Sequence, residues 1–199
     1  MKLTISLTIL LILVLGCKPV NNLPPVEKNS SSSISGIQEL VLNPQDLGQL
    51  GMKSDQLKQL GMTTNGTDCQ IESYQADEFS PQQQNGICSY IIPGLNNSEV
   101  VIQLNKFTNL NDLNGSYQYE SLHLYSSEGL ISENDYGDRS RFRVNNEHDY
   151  GGEFNDPNIY YYHLWFTKDK YLIHITSKGS EGAKDYISKI GNKILSKFE

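Results

Sequence analysis

Short runs in which apolar and polar residues alternate are the main structural signal of this chain. Alternation with a period of two predicts β-strands that bury one face of a sheet. Seven segments between residue 37 and residue 177 are expected to be strands, and the alternation is clearest at residues 100–107 and in the last two. The predicted strands are residues 37–42, 69–74, 87–92, 100–107, 139–144, 159–167 and 171–177. A polar loop over residues 81–86 is expected to join the second strand to the third.

Helical spacing or helix-start signals occur in four other segments. Asn43 followed by Pro44 predicts a capped helix that ends at Gly51. Ser54 and Asp55 open a second short helical turn, which ends at Gly61. A central helix should begin after a Thr108 cap and end near Gly129, with inward positions Leu110, Leu113, Tyr117, Glu120 or Ser121, and Leu124. The last helix should be capped by Ser180 and bury Ala183, Tyr186 or Ile187, Ile190, Ile194 and Phe198.

The last two strands should form a β-hairpin whose inner face packs on the last helix. Its expected register pairs Phe166 with Tyr171, and a slip of one residue would expose one apolar set. This register places His163 directly opposite His174, with Cβ atoms about 5 Å apart. The element order therefore predicts an α+β fold, with an antiparallel sheet flanked by helices and a C-terminal hairpin followed by an amphipathic helix.

The two hairpin histidines are the first candidate for chemistry. Together they could share a metal ion, with His148 and the acidic loop at residues 145–156 as a source of a third ligand. The simpler interpretation, ordinary side chains on a sheet face, is favoured because zinc motifs show more ligands at tight spacing. The acidic loop has oxygen-bearing residues at alternate positions, but Tyr150 stands where a calcium loop needs glycine. We expect no bound metal and no cofactor.

Enzyme motifs are missing from the sequence. It contains no Gly-x-Ser-x-Gly elbow, no phosphate-binding loop and no His-Glu-x-x-His helix. The densest aromatic group is residues 160–165, half of which the alternation assigns to the core. Tyr161 and Trp165, on the other face, are the candidate contact residues, together with His163 and His174. We therefore expect a binding protein and not an enzyme.

The first 17 residues have the pattern of an export signal. Lys2 precedes an apolar run over residues 3–15, too short to span a membrane, and Gly16-Cys17 ends the segment. This segment resembles the lipobox of prokaryotic lipoproteins, which implies cleavage before Cys17 and lipid on its side chain. The alternatives are ordinary secretion and a retained N-terminal anchor. The resemblance implies a chain held on the outer face of the cytoplasmic membrane.

The expected organisation is therefore a signal peptide at residues 1–16, a lipidated tether at 17–35 and one globular domain at 36–199. The tether carries prolines and a serine run that cannot form a core. With Cys17 assigned to lipid, Cys69 and Cys88 remain as an even pair in an oxidising compartment, and we predict a disulfide between them. Two buried free thiols and a zinc site are the less favoured alternatives.

Charge limits the class of partner. The 199-residue chain has 16 basic and 23 acidic residues, a formal net charge of −7. Nucleic acid is excluded as a partner because its phosphates require clustered Lys and Arg. An anionic membrane surface would repel the domain, so membrane attachment depends on the lipid.

The element order over residues 36–199 resembles PsbP-like α/β/α sandwiches, and the whole chain is similar to uncharacterised small lipoproteins of archaea and bacteria. Another α+β domain with one antiparallel sheet is the alternative fold. The leading functional hypothesis is a non-enzymatic, lipid-anchored binding or accessory domain with a protein partner at the cell envelope. A ligand- or metal-binding lipoprotein that serves a membrane transporter is the second hypothesis, and an envelope hydrolase is the third.

Overall fold

A computed structural model describes residues 34–54, 69–74, 82–122, 129–145 and 159–199. All of them belong to one compact unit, Ser32–Glu199. The predicted signal peptide, Cys17 and nearly all of the tether lie outside these ranges. So do the helical turn expected at residues 55–61, His148 and nearly all of the acidic loop. No helix in the described ranges is long and apolar enough to cross a membrane.

An antiparallel sheet of eight strands forms the centre of the described part. Its strands are β1 (Lys53–Ser54), β2 (Cys69–Ser73), β3 (Gln82–Ile92), β4 (Ser98–Phe107), β5 (Leu130–Glu133), β6 (Arg139–Asn145), β7 (Tyr160–Lys168) and β8 (Tyr171–Gly179). Across the sheet their order is β1-β3-β4-β8-β7-β6-β5, and β2 also pairs with β3. The predicted α+β class is confirmed.

Three α-helices accompany the sheet: α1 (Pro44–Leu50), α2 (Leu110–Leu122) and α3 (Ala183–Leu195). The first begins as predicted, because the Asn43 side chain accepts a hydrogen bond from the Asp46 N–H and the Asp46 carboxylate accepts one from the Asn43 N–H. Gly51 ends the helix in the left-handed conformation, with φ of 66°.

The main core lies between α3 and one face of the sheet. Alternate residues of the four central strands point toward the helix, as their apolar pattern predicts. Large, fully buried side chains on these strands are Tyr90, Ile92, Ile102, Leu104, Leu164 and Phe166, and Phe142 of β6 joins them. From α3 and the turn after it come Ala183, Ile187, Ile190, Ile194 and Phe198. Burying this stripe is what holds α3 on the sheet.

A smaller core lies on the opposite face under α2. Leu113 and Tyr117 of the helix pack with Trp165 and Leu172 of the hairpin and with Phe107 at the end of β4. Leu110, predicted to face inward, is 55% exposed instead. The helix is capped by Asn109, whose side-chain oxygen accepts from the Asp112 N–H, and not by Thr108 as expected.

The predicted disulfide is present between β2, at one side of the sheet, and its neighbour β3. Cys69 on β2 lies directly opposite Cys88 on β3, and the two sulfur atoms are 1.95 Å apart. Both residues are buried beneath the edge of the main core. This pairing joins β2 covalently to the sheet.

Several predicted elements were wrong in part. Residues 37–42 are not a strand: Ile37–Glu39 form a 3-10 turn that buries Ile37 against the sheet. The polar residues of 82–86 belong to β3 and not to a loop, and β5 was not predicted. Ser180 does not cap α3 through its side chain. Its backbone carbonyl accepts from the Ala183 N–H, while its hydroxyl oxygen has no partner in the described part of the chain.

The hairpin register was also wrong, by two residues. Lys168 pairs with Tyr171 and Phe166 with Ile173, around a two-residue turn in which Asp169 has φ of 53°. An even shift leaves every side chain on its predicted face, so the division into inner and outer faces holds. His163 lies opposite Thr176, however, and His174 lies opposite Trp165.

Candidate functional site

Strand register brings the candidate side chains together on the face that carries α2. Two rows of residues cross this face from β3 to β6. One row consists of Ile87, Gln103, His174, Trp165 and Arg141. The next row consists of Ser89, Val101, Thr176, His163 and Arg143. His163 and His174 are therefore diagonal neighbours in adjacent rows, within reach of each other's imidazole.

A short hydrogen-bonded chain connects the two imidazoles to Gln103. Nδ1 of His163 lies 3.3 Å from Nε2 of His174, and Nδ1 of His174 lies 3.1 Å from the side-chain oxygen of Gln103. With that oxygen as acceptor, Nδ1 of His174 carries its proton and Nε2 is left to accept. Nδ1 of His163 then donates, and its Nε2 keeps a free lone pair.

Trp165 forms an aromatic platform beside this chain. Its ring stacks on His174 with a centroid distance of 4.3 Å and on His163 at 5.2 Å, and all three rings are nearly parallel. The indole Nε1 is buried and has no hydrogen-bond partner among the described residues. Trp165 is only 1% exposed because α2 covers it. It therefore orients the imidazoles and does not offer a surface for contact, contrary to the expectation from the sequence.

The environment keeps both imidazoles neutral. Burial, together with the positive charge of Arg143, lowers the pKa of His163 to about 4. Burial and the proximity of His163 hold the pKa of His174 well below its usual value of 6.5. Neutral imidazoles can bind a metal ion or exchange hydrogen bonds with a ligand. At neutral pH they are weak general bases, because an effective base has a pKa near the working pH.

Three arginines on β6 border the imidazoles and hold α2 in place. Arg141 donates to the Ser121 hydroxyl at 2.8 Å and pairs with Glu133 at 2.8 Å. Arg143, which is buried, donates to the Ser121 carbonyl at 3.3 Å. The guanidinium of Arg139 lies 4.8 Å from the centre of the Tyr117 ring. These contacts indicate that the arginines mainly hold α2 in position.

Gln103 and Arg143 were not identified from the sequence. Both belong to strands that were predicted, but their contact with the histidines depends on which strands are neighbours in the sheet. Tyr161 is half-buried and pairs with Lys178, one row farther from α2. Across the described ranges, no group of three or more His, Cys, Asp or Glu residues could hold a metal ion. A third ligand from His148 or the acidic loop lies outside those ranges.

Part of this face extends beyond the residues that pack under α2. Ser89, Val101 and Thr176 are half-buried, and Ile87 has 43% of its surface exposed. Ile87 is notable because β3 is an interior strand, with β4 on one side and both β1 and β2 on the other. A mixed polar and apolar sheet surface thus lies next to the imidazole pair. In the following we call Ile87, Ser89, Val101 and Thr176 the open patch.

Fold and site together define an α+β domain with an antiparallel sheet, in which α3 packs on one face and α2 packs on part of the other. No family model, no curated protein and no solved structure matches the chain. Functional inference therefore depends on the residues themselves.

Proposed function

We propose that this chain is a lipid-anchored binding or accessory domain outside the cytoplasmic membrane, without catalytic activity, that contacts a protein partner at the cell envelope. The observation that supports the binding role best is the open patch, an accessible sheet surface beside half-buried imidazoles. Contiguous exposed apolar area is a feature of interaction surfaces, and Ile87 with its diagonal neighbour Val101 supplies the apolar part of the patch. The patch carries no formal charge, which suits the core of a protein interface.

Two features support an extracytoplasmic location. The Cys69–Cys88 pair is at bonding distance, and disulfides persist in oxidising compartments. The export signal ends at Cys17, the residue that the lipobox resemblance assigns to lipid. A lipid on Cys17 would hold an acidic domain at a surface that otherwise repels it.

The state of the imidazoles supports a non-catalytic role. A general base needs a pKa near the ambient pH, whereas the pKa of His163 is about 4. The hydrogen bonds of His174 are directed to His163 and Gln103. Neither imidazole has a hydroxyl or thiol nucleophile among its hydrogen-bond partners in the described part of the chain. An envelope hydrolase is thus the least favoured of the three hypotheses, and turnover abolished by His163→Ala would restore it.

The membrane anchor is tested by Cys17→Ala. Wild-type chain should sediment with membranes and carry acyl mass, whereas the variant should accumulate in its uncleaved or its released form without that mass. Acyl mass on Cys17→Ala, or its absence from the wild type, would contradict the anchor. Cys69→Ala serves as the matched control, because it removes a cysteine that the proposal does not assign to lipid.

The binding surface is tested by a photo-crosslinking side chain at position 87, in the middle of the sheet face, in intact cells. The control position is Lys184, which is exposed on α3 at the other face of the sheet. Adducts with an envelope protein should form from position 87 and not from position 184. Equal adducts from both positions, or none from position 87, would contradict a partner at the open patch.

A ligand- or metal-binding lipoprotein that serves a transporter is the second candidate function. The two imidazoles within hydrogen-bond distance are the observation that favours it. A bound small molecule or metal in native mass spectra of the purified chain would promote this candidate above the first.

A further inference from the structure

The distance between two nitrogen atoms of the imidazole pair allows a hydrogen bond and also fits a second kind of interaction. Nδ1 of His163 and Nε2 of His174 are 3.3 Å apart. This distance permits a hydrogen bond between the two nitrogens, but the hydrogen bond is not the only interaction that it fits. The two rings are held at this spacing by their stacking on Trp165, which is itself buried.

The same spacing is the one that a tetrahedral metal ion imposes on two of its ligands. Zinc binds imidazole nitrogen at about 2.0–2.1 Å, so two nitrogens at a tetrahedral angle lie about 3.3–3.4 Å apart. Adjacent ligands in a square-planar site would be only about 2.9 Å apart, and opposite ligands of a linear ion about 4 Å. The pair therefore matches a tetrahedral ion and neither of the other two geometries.

The surroundings of His174 are also those of a metal ligand. A ligating histidine usually donates its second ring N–H to an oxygen acceptor, which fixes the tautomer and the ring orientation. Nδ1 of His174 has that partner in the side-chain oxygen of Gln103, at 3.1 Å. Its Nε2 is thereby left with a lone pair on the side of His163.

We propose that Nδ1 of His163 and Nε2 of His174 bind one tetrahedral divalent transition-metal ion of the zinc type, with two coordination positions left for ligands from outside the pair. Binding requires that His163 change tautomer, because its Nδ1 proton must leave that nitrogen and Nε2 must take one up. Both imidazoles are neutral before and after, so binding releases no net proton at neutral pH.

The charge of Arg143 favours anions in the remaining two positions. Arg143 lies opposite His163 in the register and on the same face, and while it donates to the Ser121 carbonyl its positive charge opposes a second cation in the site. An anionic ligand would offset that repulsion and pair with the metal as well. We therefore expect chloride or a carboxylate to strengthen zinc binding. If a protein partner supplied that carboxylate, the metal site and the open patch would contact the same partner.

This inference is independent of the membrane anchor and of the open patch. Zinc binding could be absent while crosslinks from position 87 persist, and the reverse could also hold. The experiments for the two proposals therefore fail separately.

The test is calorimetric titration of the full-length chain in detergent with Zn²⁺, in parallel with ¹⁵N spectra of the histidine side chains. One zinc per chain should bind, with a heat that is the same in buffers of different ionisation enthalpy. Zinc should shift the resonances of His163 Nδ1 and His174 Nε2. No binding, or binding that leaves both resonances unchanged, would overturn the proposal.

Variants locate the ion. His163→Ala and His174→Ala should each abolish binding, and Gln103→Ala should weaken it about 10–100-fold by releasing the His174 ring. The matched control replaces the chain's other two histidines, His123 and His148, by alanine and should bind as the wild type does. Loss of binding in this control, or its survival in His163→Ala, would place the ion elsewhere. The ¹⁵N shifts of the unmodified chain remain decisive if a variant does not fold.

Discussion

The carboxylate of Asp46 joins α1 to the C-terminal part of α3, and replacing it tests how much this link stabilises the domain. Asp46 is 4% exposed, with Nζ of Lys193 at 3.0 Å and Nζ of Lys197 at 2.9 Å. It also accepts a hydrogen bond from the Asn43 N–H at 3.0 Å. The two lysines, which the sequence places on the solvent side of α3, thus contact a buried charge.

The free energy of unfolding lost on replacing Asp46 depends on how many hydrogen bonds are removed and on how exposed their donors are. A hydrogen bond to a charged group contributes about 1.5–3 kcal/mol. Because both lysines keep some solvent contact and are hydrated when released, each should contribute only about 1 kcal/mol. Loss of the capping interaction adds about 1 kcal/mol. Asp46→Asn keeps an acceptor for the Asn43 N–H and should cost about 2 kcal/mol, and Asp46→Ala about 3 kcal/mol.

Chemical denaturation at pH 7 measures both variants, with Lys184→Ala as a control that removes an exposed lysine from α3. Burial alone would raise the pKa of Asp46, but its hydrogen bonds with Lys197, Asn43 and Lys193 hold the pKa below its ordinary 3.8. A depressed pKa stabilises the fold above pH 3.8 and loses that effect as pH falls through the folded value. Asp46→Asn should therefore reduce the stability difference between pH 7 and pH 3. The reasoning is refuted if Asp46→Asn changes stability by less than Lys184→Ala does.

Three further predictions concern other parts of the fold, and each is measured by denaturant unfolding. Because burial lowers the pKa of His163 from 6.5 to about 4, the unfolded chain takes up its proton first as the pH falls. Stability should therefore decrease by about 1.4 kcal/mol for each unit by which the pH is lowered between those values. His163→Gln should reduce this slope, and an unchanged slope would contradict the assignment. Replacing Cys69 and Cys88 together by alanine should cost about 3 kcal/mol, and a loss under 1 kcal/mol would mean that the bond is not formed. Gly115→Ala should stabilise α2 by about 0.5–1 kcal/mol, since an added Cβ meets no atom within 4 Å. Gly137→Ala should destabilise, since its φ is +58° and the Cβ would overlap a carbonyl oxygen of β7; an equal effect of the two substitutions would refute this comparison.

The hairpin illustrates what alternation can and cannot predict. Apolar residues at every second position assign Leu164 and Ile173 to the buried face, and the structure confirms both. Alternation is unaffected by a shift of two residues, so it does not fix the register. The turn does, through a left-handed Asp169 whose preference is weaker than that of an Asn-Gly pair. The pairing of His174 with Trp165 therefore could not be predicted from the sequence.

Elements with a polar sequence were missed for a different reason. The beginning of β3 is polar, and it becomes a strand because β2 and β4 pair with it on both sides. Gly86 has a specific role there, since an added Cβ would lie 2.9 Å from the terminal carbon of Ile37. Ile37 itself fills that space from a 3-10 turn, although its apolar neighbours favour a strand. Tertiary contacts determine the secondary structure of both segments, and such contacts cannot be predicted from local propensity.

The disulfide has a consequence for how the protein withstands proteolysis. Cys69 and Cys88 are 19 positions apart, so the chain between them closes a covalent ring. One cleavage anywhere within that ring breaks the backbone without separating the products, and both fragments stay attached to the same sheet. A nicked molecule would run as one band on a non-reducing gel and as two after reduction, while its imidazole pair on β7 and β8 stays in place. Damage in this part of the chain would thus be tolerated for as long as the compartment remains oxidising.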